Sequence, residues 1–182
     1  LENVVVLRGA ASTHTDPLRR EHFNAFREEL LQLNEFKSGT ASMNVPGQPM
    51  RNRISNLARP DKPEELKQEV TLGNIDDGYI ETYGLKLLAG RNFEQPIRLD
   101  SAKVIVSESI VRILDYGSPE NAVGKQLRIG NNNFTIKGVV NDFHHEGLKK
   151  SLEPVIFNHR HPFEFGFYSF RINGDMQKSI AQ

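Results

Sequence analysis

Cysteine is missing from the 182 residues altogether, which excludes disulfide bridges, thiolate catalysis and cysteine-ligated metal centres. No run of apolar residues approaches the ~20 needed to span a bilayer. A charge of one sign is lacking too: Lys plus Arg and Asp plus Glu number 23 each. No overall field therefore draws the chain to nucleic acid or to an anionic membrane. The densest basic stretch, MRNRISNLARPDK with Arg51, Arg53, Arg59 and Lys62, holds no aromatic residue for base stacking and reads as a solvated loop. What is present, 37% hydrophobic and 25% charged residues, suits one globular domain or two small lobes sharing a core. There is no internal repeat and no low-complexity tract.

Motifs for catalysis are equally scarce. VGKQL carries a Gly-Lys pair, but a phosphate-binding loop needs Ser or Thr after the Lys and Gly five residues before Gly124; Gln126 and Pro119 stand there. No G-x-G-x-x-G follows a strand pattern, and no G-x-S-x-G elbow exists. Ser107 lies between a strand and a helix pattern, where helix capping accounts for it. Asp76–Asp77 opens a short helix, where acidic residues complement the dipole, and Glu28–Glu29 falls on the solvent side of a longer one. Asp142 with His144, and His159 with His161, are spaced two apart, so in extended chain each pair faces one way and four such ligands suit zinc. Against zinc, Pro162 follows His161 and Gly147 follows the first pair, which puts both in loops. No metal and no cofactor is expected, and these four residues are the weak candidates for one.

Periodicity outlines the elements. NVVVLRG reads as a strand. DPLRREHFNAFREELLQLNEF reads as a helix, with Asp16 as cap, Pro17 in the first turn, and Phe23, Phe26, Leu30 and Leu33 on one stripe. FKSGTASMNVPG is strand-like up to a Gly/Pro turn, which completes a β-α-β opening. Residues 46–65 read as a loop. LKQEVTLGNI is a strand, DDGYIETYG a short helix ended by Gly84 in a left-handed cap, and KVIVSESIVRILDYG a strand followed by a helix. KQLRIGNNNFTIKGVVNDF is a hairpin, with Phe134, Ile136, Gly138 and Val140 on one side of its second strand and Thr135, Lys137 and Val139 on the other. PVIFN and FGFYSFRIN are strands. NGDMQKSIAQ starts a helix at Asp175, with Met176 and Ile180 one turn apart. A chain that starts at Leu1, almost inside a strand, and stops early in a helix is expected to be a segment of a longer polypeptide.

Four motifs in order, YIETYGLKLLAGRNF, KVIVSESIVRIL, SPENAVGKQLRI and FTIKGVVNDFHHEGLKKSLEPVIF, closely resemble the MacB-like periplasmic core domain of FtsX-like ABC transporter permeases. The resemblance is strong from Val70 to Phe157 and compatible at both ends. Its marker positions are Gly84, Gly90, Arg91, Phe93, Gly124, Lys125, Gly138, Asp142 and Phe143, and each has a scaffold reading. Gly84 and Gly90 suit left-handed turns. Arg91 would anchor its turn to carbonyls or a carboxylate, and Gly124 permits the turn into the hairpin. Gly138 suggests a bulge or close backbone packing. Asp142 can cap backbone amides, and Phe143 can plug the lobe.

The resemblance implies an α+β fold of two lobes. One is a Porter-like β-α-β unit from residues 1–45 plus 164–182, and the other a β-rich Sabre-like insertion over 46–163. It implies a non-enzymatic domain on the periplasmic face of the inner membrane, between the first and second transmembrane helices. ATP hydrolysis would occur in a separate cytoplasmic domain or subunit. A second permease copy would complete a homodimer, a periplasmic adaptor or substrate protein would be acted on, and nucleic acid would play no part. Family members serve macrolide and toxin export, lipoprotein release and control of cell-wall hydrolases. The rival readings are a histidine- or metal-dependent enzyme and a ligand-binding sensor domain of a membrane receptor.

Overall fold

The computed structural model describes residues 3–9, 18–48, 52–62, 69–95, 99–143, 153–159 and 166–173. Along the chain the elements are β1 (Val4–Arg8), α1 (Arg19–Leu31), β2 (Phe36–Ser42), β3 (Arg53–Ile54), β4 (Leu57–Ala58), β5 (Val70–Ile75), α2 (Tyr79–Tyr83), β6 (Leu87–Gly90), β7 (Lys103–Ser107), α3 (Glu108–Ile113), α4 (Pro119–Ala122), β8 (Gln126–Ile129), β9 (Asn132–Val140), β10 (Val155–His159) and β11 (Phe167–Ile172). The strands follow the order β1-β11-β2-β5-β10-β7-β9-β8-β4, with β3 attached to β5 and β6 to β9. Pairing is parallel for β10–β5 and β7–β9 and antiparallel elsewhere. The fold is α+β, as expected, and dominated by its sheet.

The two ends of the chain meet in three strands. β1 pairs with β11 from Val4↔Arg171 to Arg8↔Phe167, and β11 pairs with β2 from Phe167↔Ser42 to Ile172↔Phe36. This unit touches the rest of the sheet through one strand pair, and β2 and β5 share a single register position, Ser42↔Ile75. Burial follows this division in part, with Val4, Val45 and Phe167 packing into the core around Ile75 and Phe157. Phe23, Ala41 and Phe170 form a small core beneath α1. Two larger cores lie on the opposite faces of β7, β9 and β10: Val104, Val106, Ile136 and Ile156 on one, Ile105, Val140, Val155 and Phe157 on the other.

Three expectations change. Of the α1 stripe, Phe23 is buried, while Phe26 and Leu33 are 42% and 50% exposed. The sheet below is three strands wide, so Phe26 reaches only its rim, edge-on to Phe170 at 5.7 Å. Asp16 and Pro17, and the helix expected from Asp175, lie outside the described residues. The 46–65 loop contains β3 and β4, each two residues long and too short to leave a periodic pattern.

The third change concerns β9. Val104 faces Ile136 but Ile105 faces Gly138, so Lys137 is the extra residue of a bulge. A bulge reverses the alternation beyond it. Ile136 and Val139 consequently share one core and Val140 joins the other, in place of the strict alternation expected.

Candidate functional site

Polar groups gather at three places. The first is the bulge. A lysine in the strand FTIKGVV has no water to solvate it, because β9 is covered on both faces. Its side chain is 3% exposed, and Nζ donates to Asp100 Oδ2 at 2.6 Å, where the carboxylate is fully buried. Asp100 also accepts from Lys103 Nζ at 3.1 Å and from the Glu94 amide at 2.9 Å. Burial alone would raise the Asp100 carboxyl, but these donors outweigh it and hold it below the usual carboxylate range.

The glycines serve this bulge. Gly90 has φ +74°, and a Cβ there would lie 2.2 Å from the Lys137 carbonyl; one on Gly138 would lie 2.7 Å from the Arg91 carbonyl. The two backbones touch, and only glycine fits at the contact. Arg91 holds the turn through its main chain, donating its amide to Lys137 O at 3.2 Å. Its side chain is 70% exposed and 3.8 Å from Glu94. Phe93 is buried, stacked on His159 with centroids 4.8 Å apart.

The second place is the seam between the terminal unit and the rest. Asp76, directly after β5, takes the Thr40 hydroxyl and the Gly78 amide (3.0 Å) on one oxygen and the Ala41 amide (2.8 Å) on the other. Arg27 of α1 reaches Asp76 at 3.5 Å and Asp77 at 3.8 Å. Desolvation pushes the Asp76 carboxyl up to about 6, against the hydrogen bonds from Thr40 and Ala41. Beside it the Tyr83 hydroxyl donates to Ser169 Oγ at 2.6 Å, and Arg171 Nε donates to the Thr82 carbonyl at 2.8 Å. Gly84 ends α2 with φ +66°, the left-handed cap expected of it.

The third is the exit of β9. Asp142 Oδ1 accepts the Ser109 amide at 2.8 Å, capping α3, and Oδ2 accepts from Arg112. Burial would raise this carboxyl too, but the Ser109 and Arg112 contacts hold it low. Ser107 occupies the N-cap position without a capping bond; its hydroxyl instead accepts the Val155 amide at 3.0 Å. The side-chain cap expected of Ser107 therefore comes from Asp142, and Ser107 ties β7 to β10. Phe143 stacks near Phe157 at 6.0 Å.

Of the four weak metal candidates, His144 and His161 lie outside the described residues. The other two are not brought together. β9 runs parallel to β7 and β10 antiparallel to it, so Asp142 lies beyond the end of β7 and His159 beside its start, roughly 15 Å away at strand spacing. Among the described residues no three His, Asp or Glu side chains converge on a metal-sized site. A recess of ≈ 290 Å³ is lined by Arg59, Asp61, Tyr116, Gly124 and Lys125. Gly124 turns there with φ +82°, its amide on Ile136 O, and the Lys125 main chain brackets β9 at the same point. Arg59 is already bound by Asp61, the carbonyls of Leu114 and Asp115 and the Tyr116 ring. That corner is a brace. The Thr40 hydroxyl and the Asp76 carboxylate that it meets are both buried, and the geometry of these groups is that of struts and joints.

The model of the MacB-like periplasmic core domain matches residues 3–157. The chain belongs to this family. Its marker glycines, Asp142 and Phe143 all fall inside the match and hold the positions just described. Over 89 residues, 48% of its length, this core domain is 27% identical to the macrolide export ATP-binding/permease protein MacB of Bartonella henselae, and it spans 14% of that curated relative. The fold is shared with the periplasmic region of MacB from Actinobacillus actinomycetemcomitans, at TM-score 0.58 and 17% identity over 99% of this chain and 79% of that one. It is shared also with the extracellular domain of the noncanonic ABC-type transporter YknZ from Gram-positive bacteria, at TM-score 0.57 and 17% identity over 98% and 88%. The first of these two structures is a periplasmic region and the second an extracellular domain of a transporter. No helix among the described residues is long and apolar enough to cross a membrane.

Sequence reading missed the Lys137–Asp100 pair and the Asp76 seam. A lysine inside an apolar strand was the one available signal for the first. For Asp76 there was none, because Thr40 and Ala41 are 36 and 35 residues away.

Proposed function

We propose that this MacB-like core domain is the extracytoplasmic part of an ABC transporter permease, set between the first and second transmembrane helices, and that it transmits ATP-driven motion to a substrate or partner outside the cytoplasm. The observation that carries this is the family match over residues 3–157. Two lobes, 1–45 plus 164–182 and 46–163, move against each other on the seam at Asp76. The single shared position of β2 and β5 supports that division. A cytoplasmic ATP-binding domain or subunit supplies the energy, a second permease copy completes the dimer, and an adaptor or substrate protein receives the motion. Nothing needs to be catalysed here, and no cofactor is required.

The test uses the parent transporter in nanodiscs. The domain has no cysteine, so spin labels on cysteines placed at Glu28 and Asn131 are unique within it. Both positions are exposed, one on α1 and one at the β8–β9 turn. The reading expects their separation to change when ATP replaces ADP. An unchanged distance, or a parent chain without flanking spanning helices, overturns it.

A further inference from the structure

Asp76 and Asp77 share one guanidinium, that of Arg27. One cation neutralises one of two carboxylates, and the Asp76 side chain, 8% exposed against 27% for Asp77, has less water to bear the excess charge. The groups facing it come from three elements of the seam: Arg27 from α1, the Thr40 hydroxyl and Ala41 amide from β2, the Gly78 amide and the Tyr83 phenol from the α2 segment; Arg171 of β11 is bound to the Thr82 carbonyl. His159 of β10 pairs with Ile75, next to Asp76. When the seam parts, Thr40, Ala41 and Arg27 leave with the terminal unit and water replaces them around the carboxylate.

We propose that this seam is proton-sensitive: Asp76 binds a proton as the terminal unit closes onto β5 and α2 and releases it as the unit parts, so acidification tightens the joint. The proton can be accommodated in place. Thr40 Oγ1 lies 3.5 Å from the Ala41 carbonyl, so the hydroxyl can turn toward that carbonyl and accept from the protonated acid. The inference goes beyond the transport reading and holds for the chain by itself. Its sign follows from linkage: the closed seam raises the carboxyl to about 6, whereas the parted seam returns it to about 4. The closed state therefore holds more protons between these values, and opening becomes easier as pH rises through them.

Amide hydrogen exchange by NMR on the 182-residue chain tests this at pH 5 and pH 7, with rates divided by the intrinsic rate at each pH. Opening sensed by the Ala41 amide is expected to be about tenfold rarer at pH 5 than at pH 7. In Asp76→Asn, which keeps His159 and Arg27, the two values should agree. Equal protection in the native chain, or the same change in the variant, overturns the proposal; the second outcome assigns the effect to another group such as His159. Should Asp76→Asn fail to fold, the Asp76 carboxyl carbon of the native chain is titrated directly, and a midpoint near 4 overturns it.

Discussion

Replacing Lys137 by Met removes the ammonium from the β9 bulge while keeping a side chain of similar length. At 2.6 Å and an effective dielectric near 20, the attraction between Lys137 and Asp100 is about 6 kcal/mol before desolvation is subtracted. Breaking a buried pair on one side costs about 3–5 kcal/mol. The lower end applies, because Asp100 keeps Lys103 at 3.1 Å and the Glu94 amide at 2.9 Å. Urea unfolding at pH 7 should show Lys137→Met less stable by about 3 kcal/mol. Asp100→Leu should lose a similar amount, since Lys137 then has only Glu94, 3.7 Å away and half-exposed. The double variant should be more stable than the sum of the losses allows, with a coupling of about 2 kcal/mol. The pH dependence has a definite sign. The Asp100 carboxyl is held below its ordinary value, so its contribution is complete above about 4 and fades as pH falls below that. Additive losses, with coupling under about 0.5 kcal/mol, would refute the argument that the pair is one unit.

Three further expectations concern the struts around it. Gly90→Ala should lower stability by about 3 kcal/mol or more, read as a fall in Tm, because a Cβ would stand 2.2 Å from a carbonyl at φ +74°. Asp142→Ala should remove about 1–2 kcal/mol by uncapping α3 and leaving Arg112 with Glu108 and Ser109 alone; the native contribution weakens only on acidification below about 4, since this carboxyl too is held low. Tyr83→Phe should cost about 1 kcal/mol through the lost bond to Ser169, and hydrogen exchange should locate the loss in α2 and β11 while β8 and β9 stay protected.

What could be read from the chain was what local chemistry decides. The β7–α3 unit, the β8–β9 hairpin, the left-handed ends at Gly84 and Gly90 and the amide-capping role of Asp142 all follow from neighbours a few residues apart. The bulge was half legible: Gly138 marked the place, but which residue would be extra depends on register with β7. The pairs that matter most were illegible because they are distant. Lys137 and Asp100 are 37 residues apart, and Ser107 misled because a serine before a helix usually caps it, whereas here β10 arrives first and takes the hydroxyl. The acidic pair at Asp76–Asp77 read as dipole complement. Asp76 does accept the Gly78 amide at the start of α2, but its larger role requires α1 and β2 to fold back onto it.

The seam itself has a testable mechanical meaning. Apolar cores resist sliding because every displacement opens a void, whereas polar contacts can exchange for water and re-form. In this sheet one small core lies beneath α1 and one large core lies beyond the seam; the joint at Asp76, Tyr83 and Arg171 is polar, and Val4, Val45 and Phe167 add apolar contact across it. Ser42 and Ile75 face each other across it, at the Cα separation of about 4.5–5.5 Å that antiparallel partners have and a disulfide accepts. In a chain without cysteine, Ser42→Cys with Ile75→Cys gives one bridge. Oxidation should stabilise the isolated chain by about 3 kcal/mol in urea. In the parent transporter, with labels carried on unnatural amino acids at positions 28 and 131, it should abolish the ATP-dependent distance change, and reductant should restore it. A locked seam that leaves the distance change intact would mean that the motion bypasses this joint, and the lobes would then have to move as one body.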